Sequence, residues 1–239
     1  MSESEMMIGR TPKAAGKGDL ARSRIKATAR ALFARYGIDA VTIRDIAQHA
    51  GQRNGGSVNY YFGSKEDLIF EILDDVARLR DEQAARQLDA LEASGKPITV
   101  RALLKAHFTP ISDDGEEMRL FTMLQTYRRD AMHSQIPGRW DTSFRRCVDY
   151  FRTLLPHLDA RLLSQRLYFL VPYIWTFMGT REHFTGQAQF WQTFWADPAS
   201  IEGLFDTAEA ILTCNPSPET LAAIAGSGEI AERYSSMPG

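Results

Sequence analysis

With 239 residues, 44% of them hydrophobic, 10% aromatic and 24% charged, the chain is long enough for one to two domains with a core of their own, and its composition excludes a disordered, collagen-like or low-complexity protein. Cys147 and Cys214 stand 67 positions apart without CxxC or CxH spacing, so neither a disulfide scaffold nor a zinc site is expected, and no cofactor or metal. The net charge of −2 is unevenly spread: through Lys65 there are eleven basic and five acidic residues, a net +6, and the remainder carries seventeen basic against twenty-five acidic, a net −8. A small basic module suited to a polyanion is thus joined to a larger acidic one.

Membrane and secretory classes are not expected. The longest apolar run, Phe169 to Met178, is ten residues long and holds Pro172, Tyr173 and Thr176, well short of the ~20 residues of a span. The opening MSESEMMIGRTPKAAGKG has no apolar h-region, and a soluble, cytoplasmic protein without a membrane partner is the expectation.

Nearly every segment reads with helical period. Ile25, Ala29, Leu32, Phe33 and Tyr36 form an apolar stripe whose opposite face carries Arg22, Arg24, Lys26 and Arg30, and Gly37 supplies the stop. Thr42 then stands as an N-cap with Asp45 at the third helical position, and Ile43, Ile46, Ala47 and Ala50 give a short second helix ending at Gly51. The turn Gln52-Arg53-Asn54-Gly55-Gly56 leads to Val58, Tyr61 and Phe62 on a third helix of one or two turns, closed by Gly63. Ser64 and Asp67 cap a fourth, whose stripe Leu68, Ile69, Ile72, Leu73, Val76 and Leu79 runs on to about Leu91. Three short helices, the second and third joined by a tight glycine-containing turn, make a helix-turn-helix pattern.

The runs VTIRDIAQHAG and VNYYFGSKEDL, with the basic helix before them, resemble the N-terminal DNA-binding domain of the TetR family of one-component bacterial repressors over about Arg22 to Leu73. The turn is one residue longer than the commoner family turn, and Gly55-Gly56 lets its backbone take φ > 0. At the positive end of helix two, Thr42 and Arg44 can meet a phosphate through free amides and the macrodipole; the resemblance makes Lys65 a phosphate contact. Ser57, Asn59 and Tyr60 face outward on helix three, with Arg53, Asn54 and Gly55 just ahead. Arg53 suits guanine O6 and N7, and Asn54 or Asn59 suits adenine, while Asn54 can instead support the turn, Thr42 only cap, and Tyr60 touch sugar or phosphate. The basic stretch Arg10 to Lys17 either reaches the minor groove or adds general attraction.

Helices are further expected from Pro97 to near Pro110, Glu116 to Met132, Trp140 to Leu155, Ala160 to Phe184 with a bend at Pro172, Ser200 to Leu212 and Glu219 to Ala225. By resemblance this second part binds a small molecule and pairs its last two long helices with their two-fold mates. The expected fold is therefore all-α, with residues 1–20 as a flexible basic arm, 21–66 as the three-helix DNA-binding domain, 67–226 as an effector-binding and dimerisation domain reached through the long helix, and 227–239 as a tail. Candidate interface positions are Leu167, Leu170, Ile174, Phe177, Met178, Ile201, Leu204, Phe205, Ala208, Ile211 and Leu212. A pocket for a largely apolar or aromatic effector is expected from Phe108, Phe121, Leu124, Phe144, Phe151, Tyr168, Val171 and Trp175, with His107, Gln125, Arg128 and Cys147 as polar partners; aromatics at helical spacing are also what ordinary core looks like.

The five histidines form no HExxH, and no GxSxG or P-loop is present, so no enzyme is expected. The function implied is a homodimeric repressor, released from a palindromic double-stranded DNA operator by a small effector. The alternative is a helical small-molecule carrier whose DNA-binding module is inactive.

Overall fold

The computed structural model describes residues 16–52, 54–109, 116–127, 138–184 and 189–226. They form eleven helices and, among the described residues, no strand: α1 (Lys17–Tyr36), α2 (Ile43–His49), α3 (Gly56–Phe62), α4 (Lys65–Ala93), α5 (Val100–Phe108), α6 (Glu116–Tyr127), α7 (Thr142–Leu154), α8 (Ala160–Phe184), α9 (Gln189–Ala196), α10 (Pro198–Thr213) and α11 (Pro218–Ala225). None is long and apolar enough to cross a membrane.

The capping signals act where the sequence places them. Thr42 Oγ1 accepts from the Asp45 amide while the Asp45 carboxylate accepts from the Thr42 amide, a reciprocal box that opens α2. Ser64 does the same service for α4 by accepting from Asp67 N–H, and Gly37 ends α1 at φ 87°, a conformation a side chain resists. Replacing Thr42 by Ala is expected to cost ~1 kcal/mol of stability, measured by urea unfolding; no change would mean that the box adds nothing to α2.

Boundaries differ from expectation in three places. Residues 17–20, read as the end of a flexible arm, are helical, because the Asp19 carboxylate accepts from the Gly16 amide at 3.1 Å and closes the first turn. α5 begins after Thr99, whose side chain accepts from the Ala102 amide, and not at Pro97. α9 was not anticipated; its run QFWQTFWA is only eight residues long, barely two turns over which to show a period. The stretches expected as the arm up to residue 15, the end of the Glu116 helix and the 227–239 tail lie outside the described residues.

Two hydrophobic cores organise the chain. The first joins Ile25, Ala29 and Phe33 of α1, Ile46 and Ala47 of α2, Val58 and Phe62 of α3, and Leu68 to Val76 of α4, and it also takes in Leu120 and Leu124 of α6. The second gathers Leu103 and Phe108 of α5, Cys147 and Phe151 of α7, Leu170, Ile174 and Trp175 of α8, and Leu204 to Leu212 of α10. Phe121 packs against both. Thus α6 is shared: it completes the core under α1 to α3 on one side and crosses α8 on the other.

That crossing is close. Thr122 Oγ1 donates to the Trp175 carbonyl at 2.9 Å, and a Cβ on Gly179 would stand 2.7 Å from the same hydroxyl and 3.7 Å from the Met118 carbonyl. A Gly→Ala change inside a helix ordinarily stabilises by ~0.5–1 kcal/mol. Here Gly179→Ala is expected to destabilise instead, by about 1–3 kcal/mol of overpacking, read by urea unfolding; a neutral or stabilising result would mean that α6 backs away freely.

The charge asymmetry has a structural explanation. On α1, Arg22 pairs with Glu71, Lys26 with Asp75 at 2.5 Å, and Arg30 with Glu116. Three of the four bases on the face opposite the apolar stripe therefore tie α1 to the acidic α4 and α6, and Arg24 is the one of the four that is exposed. Tyr36, read as part of the apolar stripe, is 55% exposed at the end of α1.

Candidate nucleic-acid interface and interior site

α3 stands on Val58 and Phe62, both buried, and turns Asn59 and Tyr60 outward, Tyr60 with 83% of its surface exposed. At the N-terminus of α2, Thr42 and Arg44 are exposed, so the macrodipole end and its guanidinium face outward together. Thr42 is engaged in the capping box, where the Asp45 carboxylate is held below its ordinary range first by the Thr42 hydroxyl and then by the Thr42 amide. Ser57 is half-buried.

The long turn is built differently from expectation. Gly55 has φ −64°, ψ −19°, a helical conformation, and neither Gly55 nor Gly56 takes positive φ. Glycine is needed at 55 for closeness: a Cβ there would lie 3.2 Å from Ile43 Cγ2 of α2. Asn54 Oδ1 accepts from the Gly56 amide at 3.1 Å and so supports the start of α3. Arg53 lies outside the described residues.

Lys65 is drawn inward. Its ammonium donates to the Ile38 carbonyl at 2.6 Å and sits 5.8 Å from the Phe33 ring centroid, fastening the start of α4 to the α1–α2 connection. The other two N–H groups of an ammonium remain available to a phosphate.

In the second domain, five of the residues read as pocket come together around a ring cluster. His107 meets Phe108 edge-on at 4.8 Å and Phe144 at 5.3 Å; Phe108 lies 5.8 Å from Trp175, and Phe121 stacks on Trp175 at 4.4 Å. Arg80 of α4, not foreseen, lies over Trp175 at 4.0 Å and donates to the His107 carbonyl at 3.1 Å and to Met118 Sδ at 3.6 Å. Its signal was present: it falls on the stripe Val76, Arg80, Ala84, Leu88, where a guanidinium must be buried. Desolvation, then the charge of Arg80, push the His107 pKa down to about 3, so the ring is neutral at ordinary pH. Desolvation likewise pushes the Cys147 thiol up to about 12, making it an inert core residue.

Other pocket expectations separate. Leu124 belongs to the first core, against α1, because α6 turns that side toward α1 to α3. Tyr168 is 55% exposed on the outer side of α8. Phe151 and Val171 belong to or pack against the second core. The side chain of Gln125 and the whole of Arg128 lie outside the described residues. Of the positions read as interface, Leu170, Ile174, Met178, Leu204, Phe205, Ala208 and Leu212 are buried within the protomer, while Leu167, Ile201 and Ile211 pack partly buried against the same core. Phe177 stays exposed. α8 is apolar on two sides, and period alone does not say which side meets its own chain.

Residues 25–72, from α1 into α4, match the model of the bacterial regulatory proteins of the tetR family. The chain is 40% identical over 84 residues to the HTH-type transcriptional dual regulator CecR of Shigella flexneri, a match covering 34% of this chain and 37% of that one. It is 33% identical over 100 residues to the HTH-type transcriptional repressor KstR2 of Mycobacterium tuberculosis, covering 41% and 48%. With the HTH-type transcriptional regulator BetI of Cronobacter sakazakii it shares 30% identity over 145 residues, 58% of this chain and 69% of BetI. The chain belongs to the TetR family. A TetR-family regulator carries its DNA-binding helix-turn-helix where this chain has α1 to α3, and that assignment fits the outward Asn59 and Tyr60 and the capped, exposed start of α2. The matches with CecR and KstR2 span less than half of those proteins.

Proposed function

We propose that this TetR-family regulator acts as a homodimeric repressor that holds a palindromic operator when free and releases it when an apolar or aromatic effector enters the second domain. The observation that carries the reading is α3, whose polar, exposed Asn59 and Tyr60 stand on a fully packed base of Val58 and Phe62. That packing favours an active reading head over the carrier alternative, since the longer turn leaves the helix seated. The repressor sense is supported by the likeness to KstR2, an HTH-type transcriptional repressor.

Dimerisation follows from what one reading head can do: a single recognition helix reads a short half-site, and two about 34–36 Å apart read a palindrome on one face of DNA. The outer arc of α8 supplies the surface. Tyr168, Phe169 and Phe177 are 55%, 68% and 41% exposed there, an apolar display that a soluble monomer seldom keeps. Effector release needs only differential affinity for two spacings of the heads, about 1–3 kcal/mol of coupling, and α6, shared by both cores, and α4, running from Lys65 to the ring cluster, are the elements through which it passes.

Lys65→Ala is expected to weaken binding to every sequence and to lower the salt slope, whereas Asn59→Ala relaxes preference at one base position by about 1–3 kcal/mol. Anisotropy titrations on operator and scrambled duplexes over a salt series test both. Equal losses on the two duplexes for Asn59→Ala would remove it from base reading.

A further inference from the structure

Asn54 is exposed and immediately precedes Gly55, the N-cap of α3. In a helix-turn-helix the second helix enters the major groove with its N-terminal residues against the base edges, so Asn54 belongs to the part of the module that meets bases. The turn fixes which way its carboxamide faces. Only an oxygen accepts from an N–H, and the 3.1 Å bond from the Gly56 amide therefore turns Oδ1 back onto the start of α3. A Cβ on Gly56 would stand 3.1 Å from that oxygen, so glycine leaves the room for the side chain to fold back. The backbone carbonyl of Asn54 is taken as well, by the Ser57 amide at 3.4 Å. Both acceptors of the residue are thus engaged by α3, while the Nδ2 group, with two donors, meets no partner among the described residues.

We propose that Asn54 reads DNA as a donor only, and selects guanine in place of the adenine that an asparagine ordinarily pairs with. The bidentate asparagine–adenine pair needs the amide oxygen to accept from the N6 amino group while the amide nitrogen donates to N7. Here the oxygen is held by the turn. Guanine offers an outward NH2 group two acceptors side by side, N7 and O6. Adenine and cytosine each set an amino group against it, and thymine offers O4 beside a methyl group. This role rests on the operator reading proposed above and names a base that it contacts.

Asn54→Asp separates base reading from support of the turn. The carboxylate keeps an oxygen for the Gly56 amide, so α3 stays capped, but it turns an acceptor outward where the NH2 group was, and an acceptor suits the cytosine amino group. The full wild-type chain and Asn54→Asp are each used to select duplexes from a randomised library, and the selected duplexes are then titrated by anisotropy. One position in each half-site is expected to change from guanine to cytosine, each protein preferring its own base roughly tenfold, with matching urea unfolding midpoints. Asn54→Ala is expected to lose the guanine preference at that same position, and it decides the matter if Asn54→Asp does not fold. The same bases selected by every variant, adenine as the wild-type base at the position that changes, or an equal loss on all sequences would overturn the proposal. A wild-type chain that selects no sequence would overturn it together with the operator reading, whereas a selected palindrome that neither substitution alters would overturn this inference alone.

Discussion

Between pH 6.5 and about 3, stability is expected to fall with a slope approaching 1.4 kcal/mol per pH unit attributable to His107 alone. Its folded pKa is depressed to about 3 from an ordinary 6.5, so over that window the unfolded chain holds a proton that the folded one refuses. The contribution is fully present above pH 6.5 and is lost as the pH falls. Carboxylates contribute separately at the acid end: Asp45, Glu92 and Glu202 are all held below their ordinary range by hydrogen bonds to Thr42, Arg146 and Lys105, and their stabilisation is lost as the pH falls from their ordinary values toward the lowered ones. The range from pH 6.5 to 5 therefore isolates the histidine, where it is worth about 2 kcal/mol. His107→Gln, which keeps a polar side chain without a titrating one, flattens the curve there. Urea unfolding of both proteins across that range is the check, and parallel curves would show that the folded ring takes up its proton normally.

Phe33→Ala is the core substitution with the largest expected effect, about 3–5 kcal/mol. The ring is 1% exposed at the centre of the first core and lies beneath the Lys65 ammonium, so its loss undermines α1, α3 and the start of α4 together. At roughly 2–4 °C per kcal/mol for a chain of this size, the melting midpoint should drop by about 6–20 °C. The transition is expected to remain single, because Leu120 and Leu124 of α6 belong to that core and Phe121 to both. A separate low-temperature transition in calorimetry, with the second domain intact above it, would show that the two cores melt independently.

The helix-turn-helix was legible because its signals are local. Thr42 with Asp45, Ser64 with Asp67, and Gly37 each fix a boundary within four residues of themselves, and the apolar stripes fix which faces are buried. What was not legible depends on which partner a face meets. Arg22, Lys26 and Arg30 were counted in a basic module suited to a polyanion, and they bridge instead to Glu71, Asp75 and Glu116, since nothing in α1 announces that α4 and α6 lie against it. Leu124 was placed in the pocket by period, yet sits under α1. Leu170 and Ile174 read as interface by the same logic and are core, while the exposed Tyr168 and Phe169 occupy the other apolar side of α8. Gly55-Gly56 suggested positive φ, but the requirement at 55 is the nearness of Ile43, a tertiary contact. Arg80 was visible as a charge on a buried stripe, and its place over the Trp175 ring is a tertiary contact that the stripe does not announce.

The central claim is tested most directly by fluorescence anisotropy of the purified chain against the DNA flanking its own gene and a scrambled duplex, each over a salt series. The account predicts two protomers per site, a preference of at least about 10³ for the first duplex, and a steep fall of affinity with salt on both. Equal affinity for the two duplexes, or one protomer per site on the preferred one, would contradict it.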